Sequence, residues 1–226
     1  MYGTISFSMK KIAIFDLDGT LLNTIKDLGK ATNHALGMCG FPERRMEDYN
    51  GMVGRGIFNL FRKAMPEDAV NEENVKRMAD LFIPYYEAHM CDETIPYDGI
   101  PEMLEALDSN GMLIAVASNK YQEGAEKITR HFFGGIPFLK ILGQRPGMPA
   151  KPDPEIIMEI IKEDPSITLD KAVYTGDSDV DMQTGINAKI KTIGALWGFR
   201  KREELEAYHP WKLAENPEQL TSIILE

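Results

Sequence analysis

Cysteine is scarce in this sequence of 226 residues, which contains only Cys39 and Cys91. One bridge between them is allowed but a disulfide framework is not, so we expect a reduced, cytoplasmic setting. Long apolar runs are also lacking, since a stretch such as Met112–Ala117 has the length of a strand and is too short to span a bilayer. An aspartate soon breaks the apolar run near the N-terminus, so we expect no signal peptide. Residues 1–8 are expected to form a loose leader, with Met9 as an alternative start.

Positive charge is the third deficit. The chain has 25 Lys and Arg against 35 Asp and Glu, a formal net charge of −10. A protein that binds a nucleic-acid backbone needs a clustered basic face, so we expect no nucleic-acid partner, and without an apolar span no membrane partner. A small phosphorylated metabolite is a suitable partner, because a metal and a few basic side chains make a pocket locally positive. We expect a monomer or dimer.

The sequence alternates between short apolar runs and amphipathic patterns. Five apolar runs predict strands, over Ile12–Phe15, Leu113–Ala117, Phe138–Leu142, Ala172–Thr175 and Ile190–Ala195. Helices are predicted between them, over Glu102–Leu107, over Glu123–Phe132 and from Asp153-Pro154 onward, where Asp153 would cap the helix. This alternation is typical of an α/β protein, a parallel sheet covered by helices on both faces.

Residues 23–93 interrupt the alternation. Helical spacing of apolar residues predicts three helices there, over Ile25–Leu36, Ile57–Met65 and Val75–Phe82. Pro84 is expected to kink or end the third helix, and no strand pattern occurs. We therefore predict a catalytic core formed by 9–22 and 94–226, with an all-α cap, residues 23–93, inserted after the first strand.

Two carboxylates follow the first predicted strand. In an open parallel sheet, ligands bind at the carboxyl ends of the strands, where Asp16 and Asp18 stand with Gly19 and Thr20. Carboxylates two residues apart suit a shared divalent cation or a nucleophile with a proton-transfer partner. An Asp-Gly turn is the structural alternative.

A second acidic group, Asp177, Asp179 and Asp181, follows the strand at 172–175. A calcium-binding EF-hand loop is excluded, because Met182 stands where that loop needs Gly and Ala188 where it needs Glu. Capping of the next helix is an alternative role. Oxygen ligands from two strand ends suit Mg²⁺, which takes one or two carboxylates together with a phosphate.

Groups that suit phosphate oxygens occur between these two acidic groups. Ser118 and Asn119 follow the strand at 113–117 and offer hydroxyl and amide donors. Lys151 stands in a proline-flanked turn, and Lys120 is a competing cation. Either lysine taken alone is better explained as a solvated loop charge.

Taken in order, these groups resemble the motifs of the haloacid dehalogenase-like hydrolase superfamily. The matching segments are Asp16-Leu-Asp18-Gly-Thr20, Ser118-Asn119, Lys151 and Gly176-Asp177-Ser-Asp-Val-Asp181. The resemblance covers nearly the whole chain, since an α-helical cap after the first motif is also a family feature. It implies a Rossmann-like core and Mg²⁺ as cofactor.

The resemblance also implies roles for single residues. Asp16 would attack phosphorus and form an aspartyl-phosphate, and Asp18 would be the acid/base partner. The Asp16 carboxylate, the Asp18 backbone carbonyl and Asp177 would hold the metal. Asp181 would lie behind these ligands or bind the metal through water. The phosphate-binding residues would be Thr20, Ser118, Asn119 and Lys151.

The substrate is less clearly indicated. Gly51–Ile57 and Trp197–Arg200 resemble the phosphoglycolate phosphatase subgroup, in which Arg55 would bind a substrate carboxylate as a fork. A solvated arginine in a helix-start loop is the structural alternative. Other open functions are another small-molecule phosphatase, a pyrophosphatase, a β-phosphoglucomutase-like mutase, a receiver-like domain or a non-catalytic binding protein. A phosphonate-cleaving enzyme is disfavoured by the context of Asp18.

Overall fold

The computed structural model describes residues 10–226, so the expected leader and the alternative start at Met9 lie outside the described residues. The strands are β1 (Lys10–Phe15), β2 (Leu22–Asn23), β3 (Ile95–Pro96), β4 (Leu113–Tyr121), β5 (Phe138–Gln144), β6 (Ile167–Gly176), β7 (Lys191–Ala195) and β8 (Lys212–Ala214). The α-helices are α1 (Ile25–Cys39), α2 (Ile57–Ala64), α3 (Glu72–His89), α4 (Ile100–Ser109), α5 (Gln122–Phe133), α6 (Glu155–Lys162), α7 (Asp179–Ala188), α8 (Arg202–Glu206) and α9 (Pro217–Leu225).

Six of these strands form a parallel sheet in the order β5-β4-β1-β6-β7-β8. β1 is central, and Phe15 at its end pairs with Val116 of β4 and Thr175 of β6. Its side chains alternate between two cores, with Ile14 in one and Phe15 in the other, as expected for a strand covered on both faces. The α/β fold is confirmed, and the register brings the segments after β1, β4 and β6 to one edge.

β4 is longer than predicted. The sequence predicts a strand that stops at Ala117, whereas β4 continues to Tyr121, which pairs with Gln144 of β5. The pairing is irregular between Ala117 and Tyr121, so the strand extends past the apolar run although its polar residues Ser118–Lys120 have no regular register. A smaller difference concerns α6, which begins at Glu155 with Pro154 at the N-cap, so the prediction of Asp153 as the cap and Pro154 as the first helical residue is wrong by one position. The Asp153 carboxylate still accepts the Glu155 amide at 2.9 Å.

Apart from Asn23 at the end of β2, the regular elements of the cap segment, residues 23–93, are all helices, and α3 runs through Pro84 to His89. Of the two expected effects of Pro84, a kink or the end of the helix, the second is wrong and the first stays a prediction. Phe82 and Tyr86, on either side of the proline, are fully buried and their rings stack with centroids 5.1 Å apart. Tertiary packing of this face outweighs the hydrogen bond that proline removes.

The chain enters and leaves the cap segment through one narrow connection. β2 and β3 pair antiparallel there, although the sequence predicts no strand within residues 23–93. The buried Asp27 carboxylate accepts the backbone amides of Glu93 and Thr94 and the Thr94 hydroxyl. These bonds tie the start of α1 to the returning chain. The division into core and cap at these points is kept as a proposal.

Both cysteine thiols are free, with Cys39 buried and Cys91 partly buried. In the part of the chain that the structure describes, no helix combines the length and the apolar character that crossing a membrane requires.

Candidate active site

The carboxyl end of β1 delivers Asp16 into a buried cluster around Lys151. The Lys151 Nζ lies 2.8 Å from Asp16 Oδ1 and 2.7 Å from Asp181 Oδ1, and Lys151 is only 4 % exposed. The same Nζ donates to the Ala117 carbonyl oxygen at 3.0 Å and to the Tyr174 hydroxyl at 2.8 Å. Charge-assisted bonds of this kind are shorter and stronger than neutral ones, so Lys151 is a fixed cation beside the first aspartate.

Asp181 is engaged through both of its carboxylate oxygens. Besides Lys151, its Oδ1 accepts the Tyr174 hydroxyl at 2.6 Å, and its Oδ2 accepts the Ser178 amide at 3.1 Å. Ser178 is the N-cap of α7, and its side chain and Asp181 form a capping box. Asp181 therefore has two roles, since it takes part in capping α7 and also belongs to the acidic site.

Asp177 is fixed in a tight slot between two glycines. Its Oδ1 accepts the Thr20 hydroxyl at 3.1 Å, and its Oδ2 accepts the Phe199 amide at 2.7 Å. A Cβ on Gly19 would lie 2.4 Å from Asp177 Oδ2, and one on Gly198 would lie 2.2 Å from Asp177 Cβ. Gly19 also has a φ of +92°, a left-handed conformation that glycine adopts without strain. Both glycines are required for the carboxylate to take this position.

The cluster holds more buried negative charge than Lys151 can balance. Oxygens of Asp16, Asp177 and Asp181 all lie within 4.8 Å of one another. Burial, reinforced by Asp181, raises the pKa of Asp16 to about 7 although Lys151 opposes this shift. Burial also raises the pKa of Asp177 well above its usual value, whereas Lys151 overcomes the effect of burial and lowers that of Asp181.

A divalent cation relieves such an arrangement, because it favours the charged form of every carboxylate near it. Hard oxygen donors at a strand edge are the ligand set that Mg²⁺ prefers. The residues present therefore fit the metal that the sequence predicts. Asp16 and Asp177 are the carboxylates better able to hold it. Each oxygen of Asp181 already accepts two hydrogen bonds, whereas each oxygen of Asp177 accepts one and Asp16 accepts one, through Oδ1.

Asp18 belongs to a second charged group, shared between the core and the cap segment. The Lys120 Nζ lies 3.1 and 3.4 Å from the two Asp18 carboxylate oxygens and donates to the Tyr86 hydroxyl at 2.7 Å. It also lies 4.6 Å from the centroid of the Tyr86 ring. Lys120 is only 5 % exposed, and Tyr86 is fully buried on α3. Both candidate lysines are thus buried partners of catalytic candidates.

A small cavity separates these carboxylates from the cap segment. Its core side is lined by Asp16, Asp18, Ser118, Asn119 and Lys120. The free space measures about 30 Å³. A volume of that size holds about two water molecules, so the cap segment lies close over the site.

Two of the predicted phosphate-binding side chains are turned to other partners. The Thr20 hydroxyl bonds to Asp177, as described above. The Asn119 Nδ2 donates to the carbonyl oxygens of Gly54 and Lys151 at 3.0 and 3.1 Å, and its Oδ1 accepts the Lys151 amide at 2.9 Å. Ser118 lines the cavity and its Oγ accepts the Lys120 amide at 3.2 Å. Their phosphate contacts stay predictions.

Arg55 lies away from this cavity. Its guanidinium pairs with the Asp179 carboxylate, and the side chain is 46 % exposed. Arg200 joins the same group, with its Nε 3.8 Å from Asp179 and its Nη2 donating to the Val53 carbonyl oxygen at 2.8 Å. The structure thus shows Arg55 in a contact between the cap segment and α7, and its predicted contact with a substrate carboxylate stays a prediction.

Sequence reasoning missed three groups that complete the site. Tyr174 bridges Lys151 and Asp181 from within β6, Tyr86 reaches Lys120 from α3, and the Phe199 amide holds Asp177. Tyr86 follows Phe82 at helical spacing and is naturally assigned to a packed face. The resemblance of Trp197–Arg200 to a phosphatase subgroup indicated that this segment matters, but it did not predict the contact of the Phe199 amide with Asp177.

The chain is similar to known hydrolases. The model of the haloacid dehalogenase-like hydrolase family matches residues 13–195. A phosphoglycolate phosphatase of Aquifex aeolicus is 34% identical over 194 residues, covering 84% of this chain and 87% of that protein. Another from Agrobacterium fabrum is 31% identical over 198 residues, covering 84% of this chain and 82% of that protein.

The fold comparison leads to the same group. A solved structure from Lactobacillus delbrueckii subsp. bulgaricus, assigned by prediction as a phosphoglycolate phosphatase, has a TM-score of 0.86 at 31% identity. The match covers 96% of this chain and 99% of that one. The predicted Rossmann-like core and the predicted enzyme class, a phosphoric monoester hydrolase, are confirmed. The chain belongs to the haloacid dehalogenase-like hydrolases.

Proposed function

We propose that this protein is a Mg²⁺-dependent phosphatase that hydrolyses 2-phosphoglycolate, a small phosphate monoester, through an aspartyl-phosphate on Asp16. The observation that carries the proposal is the placement of Asp16. It ends β1 beside a fixed lysine and two further buried carboxylates, and it faces a cavity whose other acid is Asp18. The names of the curated relatives support the substrate.

Asp16 is the nucleophile in this proposal. Its carboxylate oxygen attacks phosphorus, the bond from phosphorus to the ester oxygen breaks, and the phosphoryl group is carried on Asp16 until water cleaves it. Lys151, 2.8 Å from Asp16, keeps a positive charge where negative charge gathers during transfer. Tyr174 and Asp181 hold that ammonium in place, so no reorganisation is needed when the phosphoryl group arrives.

Asp18 is the acid/base in this proposal. It lies at the same cavity as Asp16 but is bonded to a different lysine, Lys120. Asp18 donates a proton to the ester oxygen as the alcohol leaves, and it then accepts a proton from the water that attacks the aspartyl-phosphate. The separate bonding of the two aspartates suits their separate roles.

The metal site in this proposal consists of the Asp16 carboxylate, the Asp18 backbone carbonyl and the Asp177 carboxylate, with Asp181 behind them. When bound, Mg²⁺ would neutralise phosphoryl charge and so let an anionic nucleophile approach. Thr20 and the Phe199 amide orient Asp177 for this task. Ser118, at the cavity wall, is proposed to bind the phosphoryl group.

A small leaving group is favoured by the close approach to the site of the cap segment, which has to move away for a substrate to enter and then to close over it. Its free volume is about 30 Å³, and Leu28, Val53 and Leu60 of the cap segment form much of the far wall. A cap that closes over a short leaving group excludes water from the reacting centre, whereas a long one would hold the cap segment open.

The test is release of inorganic phosphate from 2-phosphoglycolate by wild type, Asp16→Asn and the surface control Asp170→Asn, with and without Mg²⁺ after exhaustive chelation. We expect activity in wild type and Asp170→Asn with Mg²⁺ only, and a loss of about 10⁴-fold or more in Asp16→Asn. Acid quenching during turnover should trap phosphate on Asp16. Full activity of Asp16→Asn would contradict the nucleophile, and undiminished activity after chelation would contradict the metal.

The alternatives within the superfamily are separated by substrate. A panel of sugar phosphates and pyrophosphate at equal concentration should give lower kcat/KM than 2-phosphoglycolate. Turnover of a sugar phosphate that depends on a bisphosphate activator would instead identify a mutase.

A further inference from the structure

Lys120 is a buried cation that the proposed chemistry at phosphorus does not use. Lys151 already serves Asp16, while Lys120 lines the cavity and is bonded to Asp18 of the core and to Tyr86 of the cap segment. We propose that Lys120, oriented by Tyr86, binds the carboxylate of the leaving group and so selects short anionic alcohols. This inference rests on the proposed function and assigns the specificity of the same site.

The charge at the cavity supports this assignment. The cap segment contributes mainly apolar side chains, Leu28, Val53, Ile57 and Leu60. A carboxylate placed against these residues without a cation would carry a large desolvation cost. Of the described residues that line the cavity, Lys120 is the one that carries positive charge. A leaving group with a carboxylate therefore has one side chain at which its charge can be paired.

The position of Lys120 sets the length of that leaving group. Its Nζ lies 3.1 Å from Asp18 Oδ1, and Asp18 is the proposed proton donor to the ester oxygen. A cation so near the donor can reach a carboxylate that is one carbon away from the ester oxygen. Longer leaving groups would place their charge beyond Lys120, among Leu60 and the other apolar residues of the cap segment.

Tyr86 makes Lys120 a pre-organised site. Its hydroxyl accepts from Nζ at 2.7 Å and its ring lies under the ammonium, with 4.6 Å to the centroid. These contacts hold a flexible lysine side chain in one geometry, which lowers the entropy lost on binding. At the same cavity, α2 begins at Ile57 with no side chain capping Gly56, so its first-turn amides add partial positive charge.

Arg55 is the competing candidate for the same carboxylate, and its surroundings differ. It is paired with Asp179, is 46 % exposed and does not line the cavity. Binding a substrate in the cavity through Arg55 would require that pair to break and the side chain to turn inward. Lys120 already lines the cavity, so its side chain does not have to turn inward.

The test compares kcat/KM for 2-phosphoglycolate with kcat/KM for the phosphate ester of glycolamide, which replaces the carboxylate by a neutral amide of the same shape. Wild type should prefer 2-phosphoglycolate. Lys120→Met should lower this preference by about 10- to 100-fold, the range for one charged hydrogen bond, with its largest effect on KM. Lys120→Arg should keep part of the preference, and the surface control Lys140→Met should keep all of it.

The ratio of the two kcat/KM values is insensitive to general damage at Asp18, because such damage lowers kcat/KM for both substrates alike. An unchanged preference in Lys120→Met overturns the inference while leaving the proposed function intact. Loss of the preference in Arg55→Met but not in Lys120→Met overturns it as well. Wild type that hydrolyses neither ester contradicts the proposed function itself. If Lys120→Met does not fold, Lys120→Gln and Tyr86→Phe provide the same comparison, and an unchanged preference in both overturns the inference.

Discussion

The two buried lysines stand in regions of different composition. Lys151 is surrounded by core residues, with Asp16 and Asp181 as its charged partners. Lys120 lies between Asp18 of the core and Tyr86 of the cap segment. The first region exists whatever the position of the cap segment, while the second is complete only when the cap segment lies on the core. The difference indicates that phosphoryl chemistry belongs to the core and that choice of leaving group is shared with the cap.

Removal of Lys151 should have the largest effect on this comparison. In Lys151→Met, buried Asp16 and Asp181 lose their shared cation, so we expect a loss of about 3–5 kcal/mol in the free energy of unfolding. We also expect kcat to fall by about 10²- to 10³-fold. Urea unfolding and steady-state kinetics measure the two effects.

A second substitution distinguishes charge balance from catalysis. Adding Asp181→Asn to Lys151→Met removes one buried carboxylate that has lost its cation. Part of the free energy of unfolding should therefore return while kcat stays low. Equal stability of the single and double variants would contradict the role assigned to Lys151.

The acidic cluster should make the metal-free protein less stable as the pH rises. The pKa of Asp16 is about 7 in the folded protein against 3.8 for an ordinary Asp, so between these values the folded state binds more protons than the unfolded state. Stability therefore falls as the pH rises through this window, by at most about 1.4 kcal/mol per pH unit for each such group. Asp177 acts in the same direction.

Mg²⁺ should reverse this trend, because it binds the charged carboxylates. We expect the Mg²⁺-induced rise in Tm to be larger at pH 7.5 than at pH 5. The lowered pKa of Asp181 matters only at lower pH, where its protonation removes stability. Asp16→Asn should flatten the metal-free profile. A metal-free Tm that does not change from pH 4.5 to 7 would contradict the charge excess inferred here.

Tyr86→Phe should have a moderate effect on the shared region, the contact of Lys120 with Asp18 of the core and Tyr86 of the cap segment. It removes the hydroxyl that accepts from Lys120 but keeps the ring in the stacked core. We expect KM for 2-phosphoglycolate to rise about tenfold with a smaller change in kcat, because one hydrogen bond to a charged group is lost. The matched control is Tyr85→Phe, one position earlier on α3. Similar kinetics in the two variants would show that the Tyr86 hydroxyl has no special part.

The outer contact between the cap segment and α7 should have the smallest effect. Asp179→Asn removes an exposed pairing with Arg55, and such pairs contribute about 0–1 kcal/mol. We expect kcat/KM for 2-phosphoglycolate to change by threefold or less. A drop of 100-fold, absent from Asp170→Asn, would mean that this exposed pair, and not Lys120, controls substrate choice.

The core region was predictable because its residues follow strands that the sequence marks clearly. The apolar runs before Asp16, Ser118 and Asp177 place all three at one sheet edge, and the parallel register confirms their meeting. Lys151 follows no strand directly, and only its order among the other motifs singled it out. Its four contacts became visible only in the folded chain.

The shared region was not predictable, for a physical reason. Tyr86 and Lys120 are 34 residues apart and lie in segments joined only by tertiary packing. A tyrosine on an apolar helix face carries no sequence signal that distinguishes a hydrogen-bonding role from a packing one. Asn119 and Thr20 likewise have the donors that phosphate needs, yet in the folded chain these donors bond to the Lys151 carbonyl oxygen and the Asp177 carboxylate.

The side chain of Asn119 has a consequence for repeated turnover. Two of its hydrogen bonds go to the main chain of Lys151 and one goes to Gly54 of the cap segment. Moving the loop at Gly54 away to admit a substrate breaks the single bond and leaves the pair untouched. The loop that carries Lys151 therefore keeps its conformation while product leaves. Each catalytic cycle then begins with Lys151 already placed to receive the next phosphoryl group.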